Sequence, residues 1–283
     1  NDMVVKYFDD KNKISLREQR VQYLNKTCPN IKRINDNMYS YDYINGELLS
    51  NVTDENTLRD FLEWCEKNLF IKKNPDSDFD NNCFEMYTNK TNQRIDKLID
   101  SELDKVTSIN GIEVEPIKTM LSKIDWKSLC DNSVASSFHG DLQPENIIYN
   151  PRKNEFTLID WRQSFGNSIE VGDVYYDLGK LYHAIMINGQ SILKDMFSYK
   201  RIGYSVDLNF YAKNNLVEFM KIFENFCNDY QYDWKRVQLL GILQYFSICT
   251  LYDNFKSGYY GDFLFLYGKY LLAKYQRNNN EQK

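Results

Sequence analysis

His139-Gly140-Asp141-Leu142-Gln143-Pro144-Glu145-Asn146, with Ile159-Asp160-Trp161 following fourteen residues after Asn146, brings together residues suited to phosphoryl transfer. That chemistry needs a carboxylate to accept a proton from an attacking hydroxyl, and oxygen ligands that hold Mg²⁺ on nucleotide phosphates. The spacing H-x-D-x-x-x-x-N, with a later Asp at the end of an apolar strand, supplies both. Asp141 fits the base, and Asn146 and Asp160 fit the metal ligands. The plain alternatives are a turn histidine, a helix-capping Asp141 and a surface charge at Asp160. Four fixed residues in this register arise by chance in about 0.2% of chains of this length, which favours the chemical reading.

These groups work only if the chain brings them together. Val134 to Phe138 is small and apolar and leads into the loop. Residues 146–150 read as a strand, 151–154 as a turn and 156–159 as the returning strand, so a hairpin should set Asn146 beside Asp160. Upstream, Met3 to Phe8 reads as a strand, Asp9 to Lys13 as a turn, and Ile14 to Lys26 as a helix containing Glu18. A strand lysine on the nucleotide phosphates, steered by a helix glutamate, is a recurring phosphoryl-transfer device, and Lys6 and Glu18 fit it. An exposed lysine and a solvated glutamate are the alternatives. Pro29 to Asn37 reads as loop, and Met38 to Ile44 as a strand turned by Asn45-Gly46-Glu47.

The rest is mainly helical. Leu58, Phe61, Leu62, Cys65 and Leu69 mark one helix face, with Thr53 or Asp54 as its cap. An acidic loop is expected at Asn74 to Asn82. Ile95, Leu98, Ile99, Leu103 and Val106 predict a second helix, and Ile117 to Leu129 a third. Further helices are expected around Val174 to Ile185, Leu216 to Phe226, Trp234 to Tyr252 and Phe263 to Tyr275, the third of these apolar nearly all round and so buried.

Glycine between the His and Asp of His139-Gly140-Asp141, and Trp161 after the metal Asp, resemble the aminoglycoside phosphotransferase and choline kinase group of small-molecule kinases. The resemblance runs from about Lys6 to about Leu181. It implies an α+β, protein-kinase-like two-lobe fold. A partial β-rich N-lobe would occupy residues 1–45, and a large helical C-lobe carrying the catalytic β-hairpin residues 46–283. It implies ATP or GTP with Mg²⁺ as cofactors and a small-molecule hydroxyl as acceptor. Backbone groups near Tyr43 and Ile44 would meet the adenine edge, although a plain hairpin end would look the same. Gly172-Asp173-Val174-Tyr175-Tyr176-Asp177-Leu178 resembles a later segment of the family, where Asp177 would brace the catalytic loop; a first-turn helix Asp is the alternative. Kinases of this shape begin with two strands and a loop covering the phosphates. With the lysine strand already at residue 3, those first strands are expected to be missing.

The acceptor stays open. An aminoglycoside would want carboxylates, and choline would want aromatic faces. Arg162 stands where many relatives carry an acidic residue. Facing the cleft it would suit a sugar phosphate or another anion; facing solvent it says nothing. The family pattern also suggests surface-polysaccharide metabolism. A catalytically inactive nucleotide-binding scaffold is the second reading, and a protein kinase is disfavoured because no A-P-E-like segment follows Asp160.

Composition sets the remaining bounds. Net charge is −5 without a long basic run, so no nucleic-acid partner is expected. Six cysteines without a C-x-x-C predict a reduced, buried set. Two histidines leave little room for a histidine-rich metal site. No stretch has the apolar length of a membrane span and no signal-peptide layout appears, so no membrane partner and a cytoplasmic location are expected.

Overall fold

The computed structural model describes residues 2–280 except 25, 53, 188, 213, 253 and 254. Strand β1 (Met3–Tyr7) is followed by helix α1 (Lys11–Arg20), whose start Asp10 caps by accepting the Asn12 N–H. The helix therefore begins three residues earlier than expected. It ends sooner too, in a 3₁₀ turn over Val21–Tyr23. Strand β2 (Lys32–Asn35) lies where a loop was expected; all four of its residues are exposed, so no apolar alternation marks it. Strand β3 (Met38–Asp42) is central, with β1 and β2 antiparallel on either side, and Lys6 sits opposite Tyr39. Ile14 of α1 packs on Tyr39 and Tyr41 as a small core, against which Ile44 and Ile159 are partly buried.

Strand β4 (Glu47–Leu48) leads to helix α2 (Glu55–Asn68), which buries Leu58, Phe61, Leu62 and Cys65. Its cap is Asp54, which accepts the Thr57 N–H; Thr53 lies outside the described residues. Helix α3 (Phe79–Phe84) occupies part of the expected acidic loop. A π-helical turn, Glu85–Asn89, carries it into helix α4 (Lys90–Ile95). The helix expected from Ile95 to Val106 does not form. A 3₁₀ turn covers Asp96–Leu98, and Asp100 adopts a left-handed φ of 59°, which no α-helix continues through.

Strands β5 (Ser108–Ile109) and β6 (Ile112–Glu113) make a small hairpin. The single helix expected over 117–129 is two, α5 (Ile117–Ser122) and α6 (Trp126–Asp131). Asp125 breaks it by capping α6, its side chain accepting the Ser128 N–H. Strand β7 (Ala135–Ser136) precedes the hairpin of β8 (Ile147–Asn150) and β9 (Glu155–Leu158), and β4 pairs with the outer edge of β8. Strand β10 (Gly172–Asp173) pairs with β7 and runs into α7 (Val174–Met186). After α8 (Gly189–Leu193) comes a hairpin without a sequence forecast, β11 (Phe197–Ile202) and β12 (Ser205–Phe210), joined to β5 through parallel pairing with β12. Helices α9 (Leu216–Asp229), α10 (Trp234–Ile248) and α11 (Tyr259–Asn280) complete the chain.

Helix α10 is buried on nearly every side and packs against α4, α7, α9 and α11. Its crossing with α7 depends on glycine. A Cβ on Gly241 would come within 2.3 Å of the Tyr182 ring, and one on Gly179 within 2.9 Å of Leu240 Cβ. All six cysteines are free and buried. No helix among the described residues is long and apolar enough to cross a membrane.

Candidate active site

The catalytic hairpin pairs Ile147 with Leu158, which puts Asn146 beside Ile159; the Ile159 N–H donates to the Asn146 carbonyl at 2.9 Å. His139, wholly buried, ties this end of the hairpin to the loop. Its Nε2 meets the Ile159 carbonyl at 2.9 Å and its Nδ1 meets the Asp141 N–H at 3.3 Å. A carbonyl accepts and an N–H donates, so the ring is neutral with its proton on Nε2. Burial also pushes the His139 pKa down to about 4. One imidazole thus spaces Asp141 from Asp160.

The loop is held from below by Asp177, which has no solvent exposure and accepts the N–H groups of His139 at 2.5 Å and Gly140 at 2.7 Å. Gly140 has a φ of 86°, and a Cβ there would come within 2.6 Å of Arg162 Cβ, so only glycine fits this turn. Asn146 donates through Nδ2 to the Asp141 carbonyl and to Asp141 Oδ2, at 2.9 and 3.1 Å. This leaves its Oδ1 for another partner. Asp141 is partly exposed, with Lys180 Nζ 3.1 Å from its Oδ1. Burial works to raise the Asp141 pKa, but Lys180, with the hydrogen bond from Asn146, outweighs it and leaves the carboxyl below its ordinary value.

Asp160 stands at the end of β9 with a left-handed φ of 58°. Lys6 Nζ lies 2.7 Å from Asp160 Oδ2, and Arg17 Nη1 lies 3.8 Å from Oδ1. Trp161 anchors the turn; it is buried, stacks on Tyr39 and donates its indole N–H to the Arg17 carbonyl at 3.2 Å.

Lys6, Asp141, Asn146 and Asp160 are therefore brought together. Glu18 is not. It forms an ion pair at 3.3 Å with Arg33 on an exposed surface, because the inward face of α1 carries Ile14, Arg17 and Arg20 instead. Tyr43 is exposed, and its N–H already donates to the Asp2 carbonyl at 2.9 Å, so that group is spent. Ile44 rests partly buried against the small core.

Three groups absent from the sequence reading complete the site. Arg20 is buried and donates to the carbonyls of Phe138, His139 and Arg162, with its guanidinium 3.7 Å from the Phe138 ring centroid. Burial pulls its pKa down to about 9, opposed by Asp177. Lys180 is the one lysine in the buried helix α7, and that was its visible signal. Lys90 sits at the start of α4 with Nζ 2.9 Å from the Tyr176 hydroxyl, and nothing in its sequence surroundings marks it.

No protein-family model and no curated protein sequence matches this chain. Solved structures do. Choline kinase LicA from Streptococcus pneumoniae superposes with a TM-score of 0.53 at 16% identity, over 96% of this chain and 86% of that one. Aminoglycoside 2'-phosphotransferase-IIIa, in its GDP complex, gives 0.52 at 15% identity, over 98% of this chain and 87% of that one. The chain therefore has the α+β kinase-like fold of choline kinase and the aminoglycoside phosphotransferases.

Proposed function

We propose that this chain is a small-molecule kinase that transfers the terminal phosphoryl group of ATP or GTP to a hydroxyl. The observation that carries the reading is one buried, neutral His139 that joins the Asp141 N–H to the carbonyl of Ile159, the residue before Asp160. Asp141, kept ionised by Lys180 and aimed by Asn146, orients the acceptor hydroxyl and takes its proton. Lys6 leaves Asp160 for the nucleotide phosphates when these arrive. The adenine or guanine would lie along the strand end near Ile44.

Asp160 and Asn146 offer a carboxylate and an amide oxygen, the hard donors that Mg²⁺ prefers. Among the described residues no group of three or more His, Cys, Asp or Glu side chains is placed to hold a metal ion. Mg²⁺ does not require one, since it takes one or two protein ligands plus substrate phosphates. When bound, it would neutralise charge on the phosphates. The fold, shared with enzymes of this activity, supports the reading, and most of the catalysis would come from positioning.

The test is labelled-phosphate transfer from Mg-ATP to a metabolite panel by wild type, Asp141→Ala and Asp160→Ala. A loss of about 100- to 10,000-fold is expected in each variant; substantial transfer by both would overturn the assignment. A nucleotide-binding scaffold is the second reading, favoured by the engagement of Glu18 with Arg33 rather than Lys6. Mg-ATP binding without transfer to any acceptor would establish it. Surface-polysaccharide metabolism and the cytoplasm are the setting we propose for the activity.

A further inference from the structure

Beside Asp141 the charge does not balance. Lys180 is buried in α7 and reaches Asp141. Lys90, placed just after the π-helical turn, reaches the hydroxyl of Tyr176, a residue with no solvent exposure. Arg162, partly buried, adds its charge from the turn after β9, where its Nε–H donates to the Ser164 carbonyl at 3.0 Å. Burial works to raise the Tyr176 pKa, but Lys90, Arg162 and Lys180 outweigh it and bring it down to about 8. Tyr176, Lys180 and His183 share one face of α7 at i, i+4 and i+7. Both His183 ring nitrogens are buried without a hydrogen-bond partner. Among the described residues Asp141 is the carboxylate in contact with these cations; the nearby Glu145 accepts the Gly189 N–H at 3.0 Å and keeps its negative charge.

Three cations against Asp141 and Glu145 leave a net positive charge in partly desolvated surroundings, an arrangement that is costly unless an anion completes it. Resting on the kinase reading above, we propose that Lys90, Lys180 and Arg162 form the acceptor subsite and that the acceptor is itself anionic, a hydroxyl compound bearing a phosphate monoester. The phosphate offsets the excess positive charge and offers several oxygens to the three cations, whereas choline or an aminoglycoside would add to the excess. The Tyr176 hydroxyl and the His183 ring supply further hydrogen-bonding groups on the same helix face. The phosphate would bind at the cations while the free hydroxyl is offered to Asp141.

The test uses inorganic phosphate as probe, titrated calorimetrically into the full chain saturated with Mg²⁺ and a non-hydrolysable ATP analogue, so that the terminal-phosphate position is already filled. Phosphate should bind and choline should not. Lys90→Met should weaken phosphate about tenfold, Lys90→Arg should keep it within about threefold, and both should bind the ATP analogue as wild type does. Choline binding better than phosphate, or phosphate binding indifferent to Lys90→Met, overturns the anionic acceptor and leaves the kinase reading intact. Failure of wild type to bind the Mg-nucleotide analogue overturns the kinase reading, and this proposal with it.

Discussion

Asp177→Ala removes the support beneath the catalytic turn. Its carboxylate takes the His139 and Gly140 N–H groups at 2.5 and 2.7 Å out of contact with water. Without it two buried donors lose their partner, at about 1–3 kcal/mol each. The expected cost is thus about 2–6 kcal/mol, a large part of a typical stability of about 5–15 kcal/mol. A second effect depends on pH. Burial raises the Asp177 pKa from 3.8 to about 6, against the opposing pull of the two N–H groups and Arg20. The folded pKa lies above the unfolded one, so this stability is complete below the unfolded value and is lost as pH rises through about 6. The rise from 3.8 to about 6 corresponds to about 3 kcal/mol. The alanine variant lacks this swing. Its cost relative to wild type should be larger at about pH 4.5 than at about pH 8. Urea unfolding at both pH values, followed by tryptophan fluorescence, measures it. A cost below about 1 kcal/mol at both, or an equal cost at both, would refute the brace and its titration.

Gly241→Ala should lower stability by about 1–3 kcal/mol, because the new methyl meets the Tyr182 ring where α7 crosses α10; an unchanged urea midpoint would contradict that close approach. Lys6→Met should weaken Mg-nucleotide binding about tenfold, while Glu18→Ala should leave it within about twofold. Calorimetry showing equal losses in the two variants would restore the lysine–glutamate pair that the sequence predicted.

The hairpin geometry was legible at residues 139–160 because hairpin and loop are local in the chain: a turn at 151–154 is enough to carry Asn146 to Ile159. Apolar spacing also located α2, α7 and α10, where one face or a whole surface is buried. It failed where local rules conflict. The apolar positions from Ile95 to Val106 keep helical spacing, yet left-handed Asp100 breaks the run. Asp125 divides the helix expected over 117–129 for a related reason, since its side chain caps better than it continues. The lysine–glutamate pairing failed on rotation: helix α1 turns Arg17 and Arg20 inward and leaves Glu18 outside, and spacing in the sequence does not set that angle. The cations around Tyr176 come from α4, α7 and the turn after β9, so no window of sequence contains them together.

Arg20 has a mechanical consequence. A guanidinium anchored on the carbonyls of Phe138, His139 and Arg162 makes helix α1 a fixed strut rather than a lever. Swinging it outward would leave three carbonyls without their donor and unseat the Trp161 indole from the Arg17 carbonyl in the same stroke. The three-stranded sheet is held by the same strut, since Ile14 of α1 packs on Tyr39 and Tyr41 and Arg17 donates to the Tyr39 hydroxyl, so helix and sheet can move only together.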